Sequence, residues 1–316
     1  GVMKTEGSVI TPSGPGSISI GQFHVPISWV ADSRQRIIEA TCRWIRRQGN
    51  DSRCIMAGKF LGSSFYHPAN YNESEQEEWD LQFLRELQYV KENVDFNRFY
   101  PFALVEMLRG LNFHITHGNP KIASVIYEIE SAADELAFKL SRGMIDGYGD
   151  LTHEKDYEQR DKKNHLWLTE LTNSLEKSFS SSLELVEIID KHLVDLSGID
   201  IGYVNKCIPF MHRMCNSSIQ FARAVAEKSL LDLQAPISSF GGFALASLIN
   251  SDRCAGFAMA TKFLDADEVT LDLAVARGIQ HSMHIIDDTL DPRALALFEK
   301  LQLKSDEEVV IATIQI

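Results

Sequence analysis

The sequence predicts a mainly α, multi-helix globular domain with short extended N-terminal segments and a C-terminal β-like arm. Three observations predict it. Apolar residues recur at spacings of three and four over most of the 316-residue chain. Helix start and stop signals fall between those stretches. The two ends depart from the pattern, the first being rich in Gly, Ser, Thr and Pro and the last in Val, Ile and Thr. With 44% hydrophobic residues, the chain can build the core of one large helical domain or two moderate ones.

Residues 1–31 form an extended segment, with β-like runs at Ser17-Ile18-Ser19-Ile20 and Gln22-Phe23-His24-Val25 between turn residues. A helical body over 32–305 follows. Asp32 or Ser33 is placed to cap a helix running to Gln48, with Gly49 as its stop and Ile37, Ile38, Cys42 and Ile45 facing inward. Trp79, Phe83, Leu84, Leu87 and Val90 predict a helix over 74–93. Pro101 suits the first turn of a short helix reaching Leu111. Asn119-Pro120 opens a helix that carries Ile122, Val125, Ile126, Ile129, Leu136 and Leu140 and stops before Gly143.

The polar stretch 143–163 reads as a mobile loop or a boundary between two halves. Beyond it, helices are expected over 167–196, bent where four serines crowd positions 178–182, and over 201–233, broken near Pro209. Gly241-Gly242 should interrupt any helix in 236–250, and 265–291 and 293–303 complete the set.

The acidic run Asp306-Glu307-Glu308 leads into Val309–Ile316, which suits a pleated, half-buried surface and is costly to leave unpaired in water. An oligomerisation arm over 306–316, docking on a second copy of the chain, is the expectation, the alternative being an arm that meets the other end segment and closes the fold within one chain. Val309, Val310, Ile311, Ala312, Ile314 and Ile316 would make the contact, with Val310, Ala312, Ile314 and Ile316 on the partner-facing side of the strand.

A net charge of −13 argues against a surface generally attractive to nucleic acid or anionic membranes. Five scattered cysteines without a CxxC pair fit reduced thiols in a cytosolic protein rather than a disulfide framework or zinc ribbon. No stretch approaches the roughly 18 apolar residues a membrane-spanning helix needs, so no membrane partner is expected.

No motif names a reaction. Asp287-Asp288-Thr289-Leu290-Asp291 has the DDxxD form with which isoprenoid synthases hold Mg²⁺ on a diphosphate, yet no second acidic motif faces it and Pro292 marks a helix end. A Mg²⁺-dependent isoprenoid-type enzyme built on Asp287, Asp288 and Asp291 therefore stands as the alternative to a non-enzymatic protein. His114/His117 and His281/His284 pair imidazoles three apart but lack further ligands, and Cys207, His212 and Cys215 fit no zinc spacing. No catalytic residue, cofactor or resident metal is expected.

One segment runs against the acidic background. Between Asp32 and Gly62 lie Arg34, Arg36, Arg43, Arg46, Arg47, Arg53 and Lys59 against three acidic residues, with Trp44 and Phe60 interleaved. Arginine forks beside aromatic platforms suit single-stranded nucleic acid, joining phosphate contacts to base stacking. A solvated face with Trp44 packed inward is the competing reading.

The helical body, the reduced cysteines, the acidic balance and the terminal segment Asp306–Ile316 together make the chain resemble the viroplasm matrix proteins of plant-infecting reoviruses, the fijivirus type in particular. The resemblance implies a non-structural viral protein whose C-terminal arm joins dimers into a ring-like octamer. It also implies single-stranded RNA binding and cytoplasmic inclusions in the host cell. A nucleocapsid-like protein that coats RNA is the neighbouring alternative.

Overall fold

The computed structural model describes residues 11–14, 17–20, 23–64, 73–117, 119–146, 166, 170–171, 173–175, 177–178, 181–282 and 291–314. It is mainly α. Two compact units divide the chain, Gly1–Ser141 and Arg142–Ile316.

The first unit begins with three short antiparallel strands, β1 (Thr11–Gly14), β2 (Ser17–Ile20) and β3 (Phe23–Pro26), in the order β1-β2-β3. Ser17 pairs with Pro26 and Ile20 with Phe23 across β2 and β3. Helix α1 (Ile27–Gln48) starts directly after Pro26, several residues before the Asp32 or Ser33 cap expected from sequence. A proline disfavours helical geometry in the residue before it but not after it, so the earlier start costs nothing. Helices α2 (Cys54–Ser64), α3 (Glu73–Asn93), α4 (Pro101–His117) and α5 (Pro120–Ser131) follow. Ile38, Cys42 and Ile45 of α1, Leu61 of α2, Leu87 and Val90 of α3, Phe102 and Leu108 of α4 and Ile126 of α5 are buried core residues.

Helices α2 and α4 pack backbone against backbone. A Cβ placed on Gly58 would stand 2.0 Å from the Ala103 carbonyl oxygen, one on Gly62 2.7 Å from that of Met107, and one on Gly110 2.4 Å from the Gly62 carbonyl carbon. Only hydrogen fits at these positions. The backbones meet there as larger side chains would not allow.

The single helix expected from Asn119 through Leu140 is two. Asn119 caps α5, its side chain accepting from the Lys121 N–H, and α5 stops at Ser131. Asp134 then starts α6 (Glu135–Asp146) by accepting the Ala137 N–H at 2.8 Å. A short polar side chain competing for backbone donors, set after Ala132-Ala133, supplies the break. Residues 143–146 of the expected loop are helical, and 147–163 lie outside the described residues.

In the second unit, Ser181 caps α7 (Ser182–Ser197) through the Glu184 N–H, so the serine cluster opens a helix rather than bending one. Helices α8 (Ile201–Lys206), α9 (Ile208–Ser217) and α10 (Ile219–Leu231) come next, broken at Cys207 before Pro209 and at the Ser218 cap. A 3₁₀ turn, Pro236–Phe240, feeds straight into α11 (Gly241–Ser251). The glycine pair thus starts a helix instead of interrupting it. Gly241 and Gly242 are both buried, and small residues let this apolar helix pass beneath its neighbours α10, α12 (Arg253–Asp265) and α13 (Val269–Ser282). Helix α14 (Pro292–Gln302) packs on α12.

The C-terminal strand expected from sequence is absent. Glu307–Ile314 is a helix, α15, that packs on α13 and α14 of its own unit with Val309 and Thr313 buried. Asp306 overrides the β preference of the segment by capping it, its Oδ1 accepting from the Glu308 N–H at 3.0 Å and the Val309 N–H at 3.3 Å. Glu307 and Glu308 sit in the first turn, where the helix dipole favours negative charge. The Thr313 hydroxyl donates back to the Val309 carbonyl at 2.7 Å, which satisfies a buried polar group without a partner strand. Gln315 and Ile316 lie outside the described residues.

Candidate nucleic-acid interface

Helix α1 turns Ile38, Cys42 and Ile45 inward and leaves Arg36, Arg43, Arg46 and Arg47 exposed. At about 100° per residue, Arg36, Arg43 and Arg47 fall within about 40° of one another, a single cationic stripe along the helix. Ile37 and Trp44, seven apart, run beside that stripe and are 47% and 38% exposed. Trp44 is thus neither fully inward nor fully free. On α2, which packs against α1, Met56, Lys59 and Phe60 share one exposed face at spacings of three and four.

The cations differ in availability. Among the described residues Arg36, Arg47 and Lys59 have no acidic partner. Arg43 stands 3.8 Å from Glu39, one turn back, a solvated pairing that competes weakly with a phosphate. Arg46 donates to the Asn93 side chain of α3 at 2.6 Å and keeps its charge unneutralised by that contact. Arg53 is spent locally, its guanidinium forked on Asp51 at 2.6, 2.9 and 3.0 Å. That hydrogen bonding pulls the Asp51 carboxyl down to about 2. The side chain of Arg34 lies outside the described residues. Cys42, beneath the stripe, is inert, since burial pushes its thiol up to about 11 against the opposing pull of Arg46 and Arg43.

Of the isoprenoid-type candidates, Asp287 and Asp288 lie outside the described residues, while Asp291 caps α14 and holds Arg293 through Oδ1 and Oδ2 at 3.0 and 2.8 Å. His114 and His117 end α4, their side chains outside the described residues, as is His284. Cys207 is buried and donates to the Tyr203 carbonyl, and Cys215 is buried with its thiol pushed up to about 12. Among the described residues no three His, Cys, Asp or Glu side chains converge as metal ligands. No described helix is long and apolar enough to cross a membrane. The expected arm residues Val309, Val310, Ile311, Ala312, Ile314 and Ile316 belong to α15 and the residues after it. Helical geometry buries Val309 and leaves Ile311 and Ile314 exposed, replacing the alternating faces expected of a strand.

The second unit holds a site that sequence reading passed over. A cleft of about 420 Å³ is lined by residues of α8, α9, the 3₁₀ turn, α11 and α13. Arg277 and His281 stand one turn apart on α13 at its rim. Phe243 packs against His281 at 5.3 Å and His212 at 5.2 Å between ring centroids. Burial, then the neighbouring His281 and Arg213, holds the His212 imidazole below its ordinary value. The signal in the sequence was the i, i+3, i+4 set of Arg277, Gln280 and His281 on one face of a helix. No family model, no curated protein and no solved structure matches this chain.

Proposed function

We propose that the protein is a self-assembling scaffold that binds single-stranded RNA through α1 and α2, the role implied by the resemblance to viroplasm matrix proteins of cytoplasmic inclusions. One observation carries the RNA part. Arg36, Arg43 and Arg47 form one exposed stripe beside a half-exposed Trp44, in a chain whose net charge is −13. Cations gathered on one face of an acidic protein focus an anionic ligand there, and an adjoining ring gives a base a surface to stack on.

Fluorescence anisotropy with a labelled uridine oligomer, across a salt series, tests this. Removing one arginine–phosphate pairing should flatten the logarithmic salt dependence by about 0.7, so R36Q/R43Q/R47Q should lower the slope by about 2. An unchanged slope sinks the RNA-binding role.

Assembly is favoured by a separate observation. Leu303, Ile311 and Ile314, near the C-terminus, are 86%, 50% and 77% exposed, and large aliphatic side chains left in water favour association. A second copy offering the same surface is the proposed partner. I311D/I314D should lower the solution mass measured by light scattering while the helical circular dichroism stays constant. Identical masses for variant and wild type would remove the assembly role of α15.

A further inference from the structure

We propose that the cleft in the second unit binds a small organic anion, its charged head on Arg277 and a flat apolar body against Phe243 and His281. Among the described residues, the cleft carries no negative charge. None of the described residues that line it is acidic, although the chain carries 44 Asp and Glu. Arg277 has no acidic partner among the described residues, so its guanidinium is a fixed positive charge with its donors available.

Geometry narrows the ligand. Arg277, Gln280 and His281 stand at i, i+3 and i+4 on α13 and so present their polar ends on one face. Gly242 on α11 makes the approach possible, because a Cβ there would come within 3.0 Å of the Arg277 Cβ and 3.3 Å of the Ala274 carbonyl oxygen. The Phe243 and His281 rings are tilted by 32°, a near-stacked pair that forms an aromatic wall. Val204, Ile208 and Phe240 supply apolar lining, and Asn205 and Ser239 add neutral hydrogen-bonding groups. A few placed polar groups on an apolar concavity of this size describe a small-molecule site. A planar guanidinium fork at its rim selects carboxylate or phosphate. The ligand class is therefore an aromatic or otherwise flat carboxylate or monophosphate. The site owes nothing to RNA binding by the first unit.

Calorimetric titration of the full chain with phenyl phosphate and with benzoate tests it and separates the two head groups. Inorganic phosphate and phenol serve as the two halves of the ligand. At least one of the whole probes should bind saturably, and more tightly than either half. R277Q should weaken it by about tenfold or more, the loss of one charge-assisted pair. R223Q, which removes an exposed charge from α10 away from the lining, should leave binding unchanged. Three results would overturn the proposal: no saturable binding of either probe, equal binding by R277Q and wild type, or equal losses in R277Q and R223Q.

Discussion

Asp190 on α7 accepts the backbone N–H of Ile237 at 3.1 Å and so ties α7 to the first turn of the 3₁₀ segment that feeds α11. Both residues are buried. Burial pushes the Asp190 carboxyl above its ordinary value, against the pull of that N–H and of Lys228.

A raised carboxyl binds its proton more readily in the folded chain than in the unfolded one. The group therefore contributes stability below the unfolded value and loses it as pH rises through the folded value, so the charged form is a cost at neutral pH. D190N keeps an oxygen acceptor and removes that charge. It should match or exceed wild-type stability near neutrality, whereas D190A, which orphans the Ile237 N–H, should lose about 1–3 kcal/mol in urea unfolding. Equal losses in the two variants would contradict this account.

The α2–α4 contact should be intolerant of a single methyl group. Alanine in place of glycine in a helix ordinarily gains about 1 kcal/mol. At Gly110 the added carbon meets the backbone of Gly62 at 2.4 Å, and backbone cannot step aside as a side chain can. Overpacking of that kind costs about 1–3 kcal/mol, so G110A should be net destabilising, read as a lower urea midpoint at constant slope.

Lys304 reaches Asp267 at 2.7 Å and Asp272 at 3.0 Å, and the Asp272 side chain is only 4% exposed. Burial raises the Asp272 carboxyl while Lys304 pulls it down. K304M removes the pull, the folded value climbs, and the uncompensated carboxylate should cost about 1–3 kcal/mol near neutral pH. The loss should shrink on acidification as Asp272 takes up its proton. K304M/D272N should recover much of it at neutral pH, and a loss independent of pH would point to packing instead.

Trp44 should matter to RNA binding in a way charge does not. W44A should weaken oligomer binding by about 1–3 kcal/mol per stacked base yet leave the salt slope intact. Tryptophan fluorescence should also quench on RNA addition in wild type. A change of slope in W44A would mean that the ring only supports the arginines.

Several helices were legible because their caps and periodicity are local, whereas α2 and α12 were not expected. Asn119-Pro120 begins α5 where the sequence says, and the spacing of Phe83, Leu87 and Val90 identifies α3. What stayed hidden depends on tertiary context. Val309–Ile314 has strand-forming residues, but an aspartate cap and a place against α13 and α14 decide for helix, and neither partner helix is visible from the segment alone. Gly241-Gly242 reads as a breaker until a neighbour is close enough to need its missing side chains. At the candidate interface, sequence supplied the positive charges but not the Asp51 fork that takes Arg53 out of service.

The glycine contacts of α2 with α4 act as a register lock. Sliding one helix by a turn, about 5.4 Å, would bring the bulkier Met107 opposite the Gly58 backbone that now faces Ala103. In the observed stagger all three glycines meet backbone. Lys59 and Phe60, which lie between Gly58 and Gly62, are thereby indexed to a single station along α4.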